Sequence, residues 1–347
     1  MLNCTGLLAA LLFIQLKLRR IENMNKKIKM ILTGVCAAAM VVSMTGCRYV
    51  SHGLKFGTAR EGGVYQEIGK RFGTILNHKD SALQVHTKKT AGSQANLRLL
   101  NENYIQLTLA QNDLATAAYY GKGIYKGKKP MQHFRAIAGL YTEQCQIVVR
   151  DDSKIKNIED LEGKNVSVGE KESGSYQNAK EILSAYGLSS KTVHVQHLSY
   201  SKAMQALKEK KVDAAFITAG AKTDTIADLN KKTPIRLLSI DSKHQKRILR
   251  ANSYLVKAEV PADTYKGQTD AVQTVGVRCV LLVKKDLPEA TVKEITNHLF
   301  TYKSHLQEKV SIQLDYTPKK AVQGITIPFH KGAADYYKDK GITVKTK

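Results

Sequence analysis

From Leu54 onward the chain alternates short apolar runs with helical repeats. Leu54–Thr58 reads as a buried strand, Ala59–Gly63 as a glycine loop, and Val64, Ile68, Phe72, Ile75 and Leu76 recur at the spacing of one helix face. The pattern returns a hundred residues later. Val166–Gly169 reads as a strand, Glu170–Ser175 as a loop, and Ala179, Ile182, Leu183 and Tyr186 as a helix face that stops at Gly187. A second unit also recurs: helix Ala95–Leu100, strand Ile105–Ala110 and the polar turn Gln111-Asn112-Asp113 are matched by Ala203–Lys208, Val212–Ile217 and Thr218–Ala221. Helices alternating with short apolar strands predict parallel α/β sheets, and two such blocks predict two lobes. Two further apolar strands, Gln146–Val149 and Val275–Val283, bracket the second block and are the natural crossings between lobes. The later one leads into a helix face of Val292, Ile295, Leu299 and Phe300, and Ala333–Lys338 returns to the first lobe.

The N-terminal pattern is different. From Met24 a basic cluster (Lys26, Lys27, Lys29) precedes the apolar run Met30–Val42 and then Ser43-Met44-Thr45-Gly46-Cys47, the layout of a bacterial export signal. Small residues at Thr45 and Gly46 predict cleavage before Cys47 and lipidation of that cysteine, with 24–46 as the signal peptide. The apolar run is short for a membrane span. Residues 1–23 carry a second apolar run, Leu7–Leu16, and then Lys17, Arg19 and Arg20, so Met24 reads as the true start. If Met1 is used instead, the positive residues 17–29 stay inside and the body still leaves the cytoplasm. The expected location is extracytoplasmic, lipid-anchored to the cell membrane.

Composition narrows the class. A chain of 347 residues with 43% hydrophobic and 24% charged residues has room for two globular lobes and is neither disordered nor a multispan membrane protein. Its net charge is +24, and beyond residue 46 there are still 48 Lys/Arg against 29 Asp/Glu. Such a charge suits nucleic acid, an anionic membrane surface or an anionic solute. Export removes the first of these, so no nucleic-acid partner is expected. Cys145 and Cys279 are the only cysteines after Cys47, which allows at most one bridge. Both fall in the crossing strands, where a bridge stays open but two separate buried thiols are expected.

Both glycine loops fit G-x4-G, from Gly57 to Gly62 and from Gly169 to Gly174, each after a strand and opening a helix. Backbone N–H groups and the positive end of a helix dipole make such a turn an anion site. A nucleotide loop would continue with Lys-Ser/Thr, whereas Gly63-Val64 and Ser175-Tyr176 follow here. Either loop alone could be an ordinary turn that needs glycine. Repetition in both lobes favours a pair of anion cradles closing on a small anionic solute with terminal carboxylates. The backbone and the hydroxyls of Ser173 and Ser175 are expected to hold it, Gly63 to allow close approach, and Arg60 to stay out of the clamp. There is no Gly-x-Ser-x-Gly elbow and no helical histidine pair, so no catalytic residue, metal ligand or cofactor is expected. His194 and His197 share a predicted strand and point to opposite faces, while Tyr65 and Tyr176 follow the loops and can wall a pocket.

Six segments carry a family resemblance: GGVYQEIG (62–69), TAGSQANLRLL (90–100), FRAIAGLY (134–141), IEDLEGKNVSVGEKESGS (158–175), TVGVRCVLLVKKDLPE (274–289) and IPFHKGAADYY (327–337). In their order and spacing the chain resembles the TAXI family, the TRAP-associated extracytoplasmic immunogenic solute-binding proteins of tripartite ATP-independent transporters, over roughly Leu54 to Gly341. The resemblance implies an α/β type II periplasmic-binding-protein fold, with 52–142 and 270–347 as lobe I, 143–269 as lobe II and hinge strands between them. It implies an interlobe ligand cleft, a ligand such as glutamate or a related dicarboxylate, and handover to membrane permease subunits. The implied ligand wall is Thr58, Gly63, Val64, Tyr65, Ser93, Asn96, Gln111, Ser173, Gly174, Ser175, Asn178 and Ala219. Departures stand at Ala59-Arg60-Glu61, where the family usually has Gly-Gly-Thr, at Gln66 for tyrosine, at Lys222 for proline and at Lys331 for proline. An enzyme on the same fold, or a surface receptor or antigen without a transport role, are the alternatives.

Overall fold

A computed structural model describes residues 53–347 apart from Ala82, so the extension 1–23, the signal 24–46 and Cys47 lie outside the described residues. Ten strands form one continuous sheet. They are β1 (Lys55–Gly57), β2 (His86–Lys88), β3 (Leu107–Gln111), β4 (Phe134–Arg150), β5 (Asn165–Ser167), β6 (His194–Gln196), β7 (Ala214–Ala219), β8 (Ile235–Leu237), β9 (Leu255–Val260) and β10 (Val272–Lys284).

The main strand order is β2-β1-β3-β10-β4-β7-β5-β6. β1, β2 and β3 run parallel, as do β5, β6 and β7. β4 and β10 join the two sets as an antiparallel pair from Gly276 opposite Gln144 to Lys284 opposite Phe134. The C-terminal part of β10 also takes β3, its N-terminal part takes β9, and the C-terminal part of β4 takes β7 and β8. Each long strand therefore belongs to one lobe at one end and to the other lobe at the other end. The expected crossings Gln146–Val149 and Val275–Val283 are segments of these strands. Register shifts at Cys279/Val280 and Leu281/Leu282 bend the pair midway.

Helices cover both faces, which is why β4 and β10 read as near-continuous apolar runs and not as alternating ones. They are α1 (Val64–Lys79), α2 (Ser93–Asn101), α3 (Asn112–Tyr120), α4 (Gly174–Ala185), α5 (Tyr200–Lys208), α6 (Asp224–Lys232), α7 (Ser242–Ala251), α8 (Glu289–Thr301), α9 (Lys303–Gln307), α10 (Pro318–Ala321) and α11 (Lys331–Lys338). In α1 the predicted face Val64, Ile68, Phe72, Ile75 and Leu76 is buried. One core gathers Ile147, Val149, Val166, Ile182, Ile248 and Val275 under α4 and α7. The opposite face of that lobe, through Leu207, Ile217 and Ile226, joins the core that holds Phe56, Leu107 and Val280. Each such side chain contributes about 1.5–3 kcal/mol on burial.

Two local expectations change. Gln111-Asn112-Asp113 is no turn: Gln111 ends β3 and is itself the N-cap of α3, because the strand passes into the helix without a linker. His197 lies just past β6, where its Nδ1 meets the Gly169 carbonyl at 3.0 Å and steadies the second glycine loop. As expected, Cys145 and Cys279 are separate buried thiols. The register explains this, since Cys279 lies opposite Tyr141 and Cys145 opposite Thr218.

Candidate ligand cleft between the lobes

The first glycine loop is shaped by the chain around it. Thr58 leaves β1 with its N–H and Oγ1 both donated to the Lys88 carbonyl, at 3.0 and 3.1 Å. Asn96 donates to the carbonyls of Thr58 (2.7 Å) and Leu109 (2.8 Å) and accepts from Thr90 Oγ1 (2.6 Å). These two predicted wall residues hold the loop from behind and do not reach the cleft, because short polar side chains in a strand-helix turn satisfy backbone groups first. The turn needs glycine at Gly62, where φ is +88°. Gly63 has φ −109°, and a side-chain carbon there would meet ordinary contacts at 3.7 Å. The expected requirement for glycine thus sits one residue earlier.

The cleft holds about 540 Å³ of empty space. Of the predicted wall, Gly63, Val64, Tyr65, Ser93, Gln111, Ser173, Gly174, Ser175 and Ala219 line it. Asn178 stands one layer back and accepts from Gln111 Nε2 at 2.9 Å. Tyr176 also stays out of the lining and packs edge-on against His197. Tyr141, Glu143, Glu170, Tyr200 and Thr218 also line it and were not singled out as wall residues from the sequence. Glu143 had a signal: it is a buried carboxylate inside the apolar run of β4. Tyr200 had none, because only the fold brings the start of α5 to this point.

The two serine hydroxyls differ: Ser175 is committed to protein partners, while Ser173 accepts one N–H and keeps its own proton for a ligand oxygen. Ser173 Oγ accepts from the Tyr176 N–H at 3.0 Å as the N-cap of α4. Ser175 Oγ accepts from the Thr218 N–H at 3.1 Å and lies 2.5 Å from Tyr200 Oη, which donates to the Thr218 carbonyl at 2.7 Å. Ser173→Ala is therefore expected to lower stability by about 0.5–2 kcal/mol through loss of the cap, read as a shift of the urea midpoint at unchanged slope.

Four helices, α1, α2, α4 and α5, begin in the lining, at Val64, Ser93, Gly174 and Tyr200. In α1, α2 and α5 the capping residue's side chain makes no bond to the first turn. The positive ends of their dipoles face the same space. Among the described residues Arg60 is the one Lys or Arg in the lining, and it pairs with Glu170 at 2.5 Å. Burial raises the Glu170 carboxyl, and Arg60 opposes that.

Glu143, also in the wall, is 2% exposed. Its Oε2 accepts from Gln111 Nε2 at 3.2 Å, while its Oε1 has no hydrogen-bond partner. Burial pushes its carboxyl up to about 8, and hydrogen bonding from Tyr65, then Gln111 and Cys279, opposes the shift.

The two walls meet over this space. Ser201 Oγ donates to the Glu61 carbonyl (3.1 Å), Thr225 Oγ1 to the Gly62 carbonyl (3.2 Å) and Gln94 Nε2 to the Ser173 carbonyl (3.1 Å). Arg98 forks onto both oxygens of Glu172, at 3.0 and 2.9 Å. Gly174 packs directly on Gln111, and a side-chain carbon there would lie 2.2 Å from Gln111 Oε1. Outside the cleft, Glu159, Asp241 and His244 come together at the surface, but Asp241 already caps α7 and accepts from Tyr186 and His244.

A family model described as the NMT1-like family matches residues 56–341. The chain belongs to the NMT1-like family. Among solved structures it is similar to a protein from Bordetella bronchiseptica RB50, at 15% identity and a TM-score of 0.50, over 74% of this chain and 75% of that one. It is also similar to PhnD1 from Prochlorococcus marinus MIT 9301 in complex with methylphosphonate, at 13% identity and a TM-score of 0.49, over 73% and 87%. A third is the alkanesulfonate-binding protein SsuA from Xanthomonas axonopodis pv. citri bound to MOPS, at 16% identity and a TM-score of 0.45, over 74% and 77%. At these identities the likeness concerns the fold. In this NMT1-like chain two parallel α/β strand sets, joined by β4 and β10, flank the cleft.

Proposed function

We propose that this NMT1-like protein is an extracytoplasmic solute-binding lipoprotein that captures a small carboxylate and delivers it to the permease subunits of a TRAP transporter, as its resemblance to the TAXI family suggests. The observation that carries the reading is the cleft itself: a space between two lobes on which four helix N-termini converge, three of them without a side-chain cap. Such ends favour a carboxylate by supplying N–H donors and positive potential together. The basic body adds long-range attraction for an anionic solute. Cys47, lipidated after signal cleavage, anchors the protein to the membrane, and the named wall residues bind the solute without chemical change to it.

A thermal-shift screen of dicarboxylates and amino acids tests this, since a ligand that binds only the folded state raises the melting temperature. No shift across the panel would end the carboxylate reading. X-ray scattering should show the lobes compacting about β4 and β10 when ligand is added. Arg60→Ala is expected to weaken binding by at most about five-fold, because an exposed ion pair contributes only about 0–1 kcal/mol. Loss of binding in calorimetry would mean that Arg60 leaves Glu170 to clamp the ligand. Mass spectrometry of the membrane fraction should find a diacylated or triacylated Cys47 peptide, and an intact Ser43–Cys47 junction would refute the anchor.

A further inference from the structure

Residues 114–142 hold four lysines and an arginine and no acid. Asp113 and Glu143, which flank the stretch, are 4% and 2% exposed, so neither offers its charge to the surface there. Strand direction gathers the lysines at one end of the molecule. β3 runs from Leu107 to Gln111 in the cleft wall, and α3 leads back from Asn112 to Tyr120. The chain between Tyr120 and the start of β4 at Phe134 therefore lies at the base of the β1-β2-β3 set, the end away from the cleft. Backbone bonds agree. The Lys285 N–H donates to the His133 carbonyl (2.8 Å), the Lys284 N–H to the Gln106 carbonyl (2.9 Å) and the Gln106 N–H to the Lys55 carbonyl (2.9 Å).

The lysine loop has a fixed frame. Buried Tyr125 pins it, the Tyr125 N–H donates to the Lys122 carbonyl (2.9 Å) and the Lys128 N–H to the Tyr125 carbonyl (3.0 Å). Lys122, Lys126, Lys128 and Lys129 are all exposed, and among the described residues none of them is in an ion pair. Lys122 lies over the Tyr120 ring at 5.6 Å and Lys128 over the Tyr125 ring at 5.8 Å. A side-chain carbon at Gly127 would meet nothing within 4 Å, so the tip of the loop stands clear of the body. At the same base Tyr104 is 63% exposed. It follows the end of α2 at Asn101, whose Oδ1 accepts from the His133 N–H at 3.2 Å.

Covalent reach favours one partner for this surface. Cys47 stands six residues before Gly53, a span of at most about 20 Å. Gly53 leads into β1 at the base, so a lipid on Cys47 holds the base within that distance of the bilayer. Anionic headgroups attract lysine ammonium groups, and tyrosine rings settle at the boundary between headgroup and acyl chain. We infer that the loop of residues 121–130, with Tyr104 beside it, is a docking surface for the anionic lipid headgroups of the membrane that holds the protein, an inference resting on the lipid-anchor reading above. Docking fixes the β1-β2-β3 set on the membrane. The β5-β6-β7 set is left to move about β4 and β10 as the cleft opens and closes.

The test uses the mature lipoprotein in vesicles of phosphatidylcholine, alone or mixed with phosphatidylglycerol. Brief acetylation read by peptide mass spectrometry reports each lysine. Lys122, Lys126, Lys128 and Lys129 are expected to be protected in the anionic vesicles and not in the neutral ones, while exposed Lys243 and Lys246 of α7 react equally in both. About 1 M salt, which screens charges beyond about 3 Å, should remove the protection. Each lysine at an anionic surface favours the docked state about five-fold, so replacing all four by glutamine should weaken docking on the order of a hundred-fold. Tyr104→Trp reads that loss, since the chain has no tryptophan of its own. Brominated phosphatidylglycerol should quench the new indole with the lysines present and not with the four glutamines. All five side chains are exposed, so these variants keep the fold. Equal reactivity of the loop in both vesicles, with Cys47 acylated in the same digest, would overturn the docking surface and leave the anchor standing. A Cys47 without acyl groups would take the anchor and this inference together. Protection in native membranes but in no pure-lipid vesicle would assign the loop to an acidic protein face and overturn the lipid partner.

Discussion

Gly174→Val should leave the protein folded and weaken ligand binding by more than about a hundred-fold. Gly174 is the first residue of α4, and its backbone is in no left-handed conformation, so valine is allowed there. What valine cannot do is share space with Gln111. A side-chain carbon at 174 falls 2.2 Å from Gln111 Oε1 and 2.4 Å from Cδ. The amide is not free to step aside, because it is buried and bonded to Glu143 and Asn178. Either Gln111 leaves and breaks both bonds, each contributing about 0.5–3 kcal/mol, or the lobes stay apart. Binding is lost on both routes. Calorimetry measures the loss, and scattering separates the routes. Adding Gln111→Ala to Gly174→Val should restore compactness, since the colliding side chain is gone. An unchanged dissociation constant in Gly174→Val would show that the closed contact between α4 and β3 has no part in binding.

Stability should fall as pH rises from about 5 to 8, and Glu143→Gln should remove much of the fall. Burial raises Glu143 from an ordinary 4.5 to about 8 and Asp113 from 3.8 to about 7. Below about pH 3 both groups are largely protonated in the folded and unfolded chain alike, so neither destabilises the fold. As pH rises through the ordinary carboxylate range, the unfolded chain releases these protons while the folded chain keeps them. Stability then declines by about 1.4 kcal/mol per pH unit for each such group. The decline ends for Asp113 above about pH 7 and for Glu143 above about pH 8. His330, which burial holds below its ordinary range, works in the opposite direction near neutral pH. The difference between wild type and Glu143→Gln isolates the one carboxyl. Urea unfolding at pH 5, 6, 7 and 8 measures it, and parallel curves for the two proteins would show that Glu143 ionises freely in the folded state.

The elements of this fold were legible along the chain. Apolar spacing placed α1, α4 and the faces of α5 and α8, and the repeated strand-loop-helix units announced two α/β lobes, because both signals are local and follow from one face of each element leaving water. The glycine loops were legible as helix starts for the same reason, and nine of the twelve expected wall residues line the cleft. Thr58, Asn96 and Asn178 do not, because a polar residue beside a loop serves the loop or the ligand according to which lies nearer. Sequence spacing does not contain that distance. Pairing across the chain decided the rest. Ser175 is spent on Tyr200 and Thr218 and Arg60 pairs with Glu170, partners that come from segments remote in sequence, while Ser173 Oγ caps its own helix. The length of β4 and β10 as strands shared by both lobes belongs to the tertiary structure too, since an apolar run marks burial without saying which neighbours bury it. Glu143 shows the boundary most clearly. The sequence marks it as a carboxylate in an apolar strand, but only the fold sets it in the cleft wall beside Gln111, where burial raises its carboxyl.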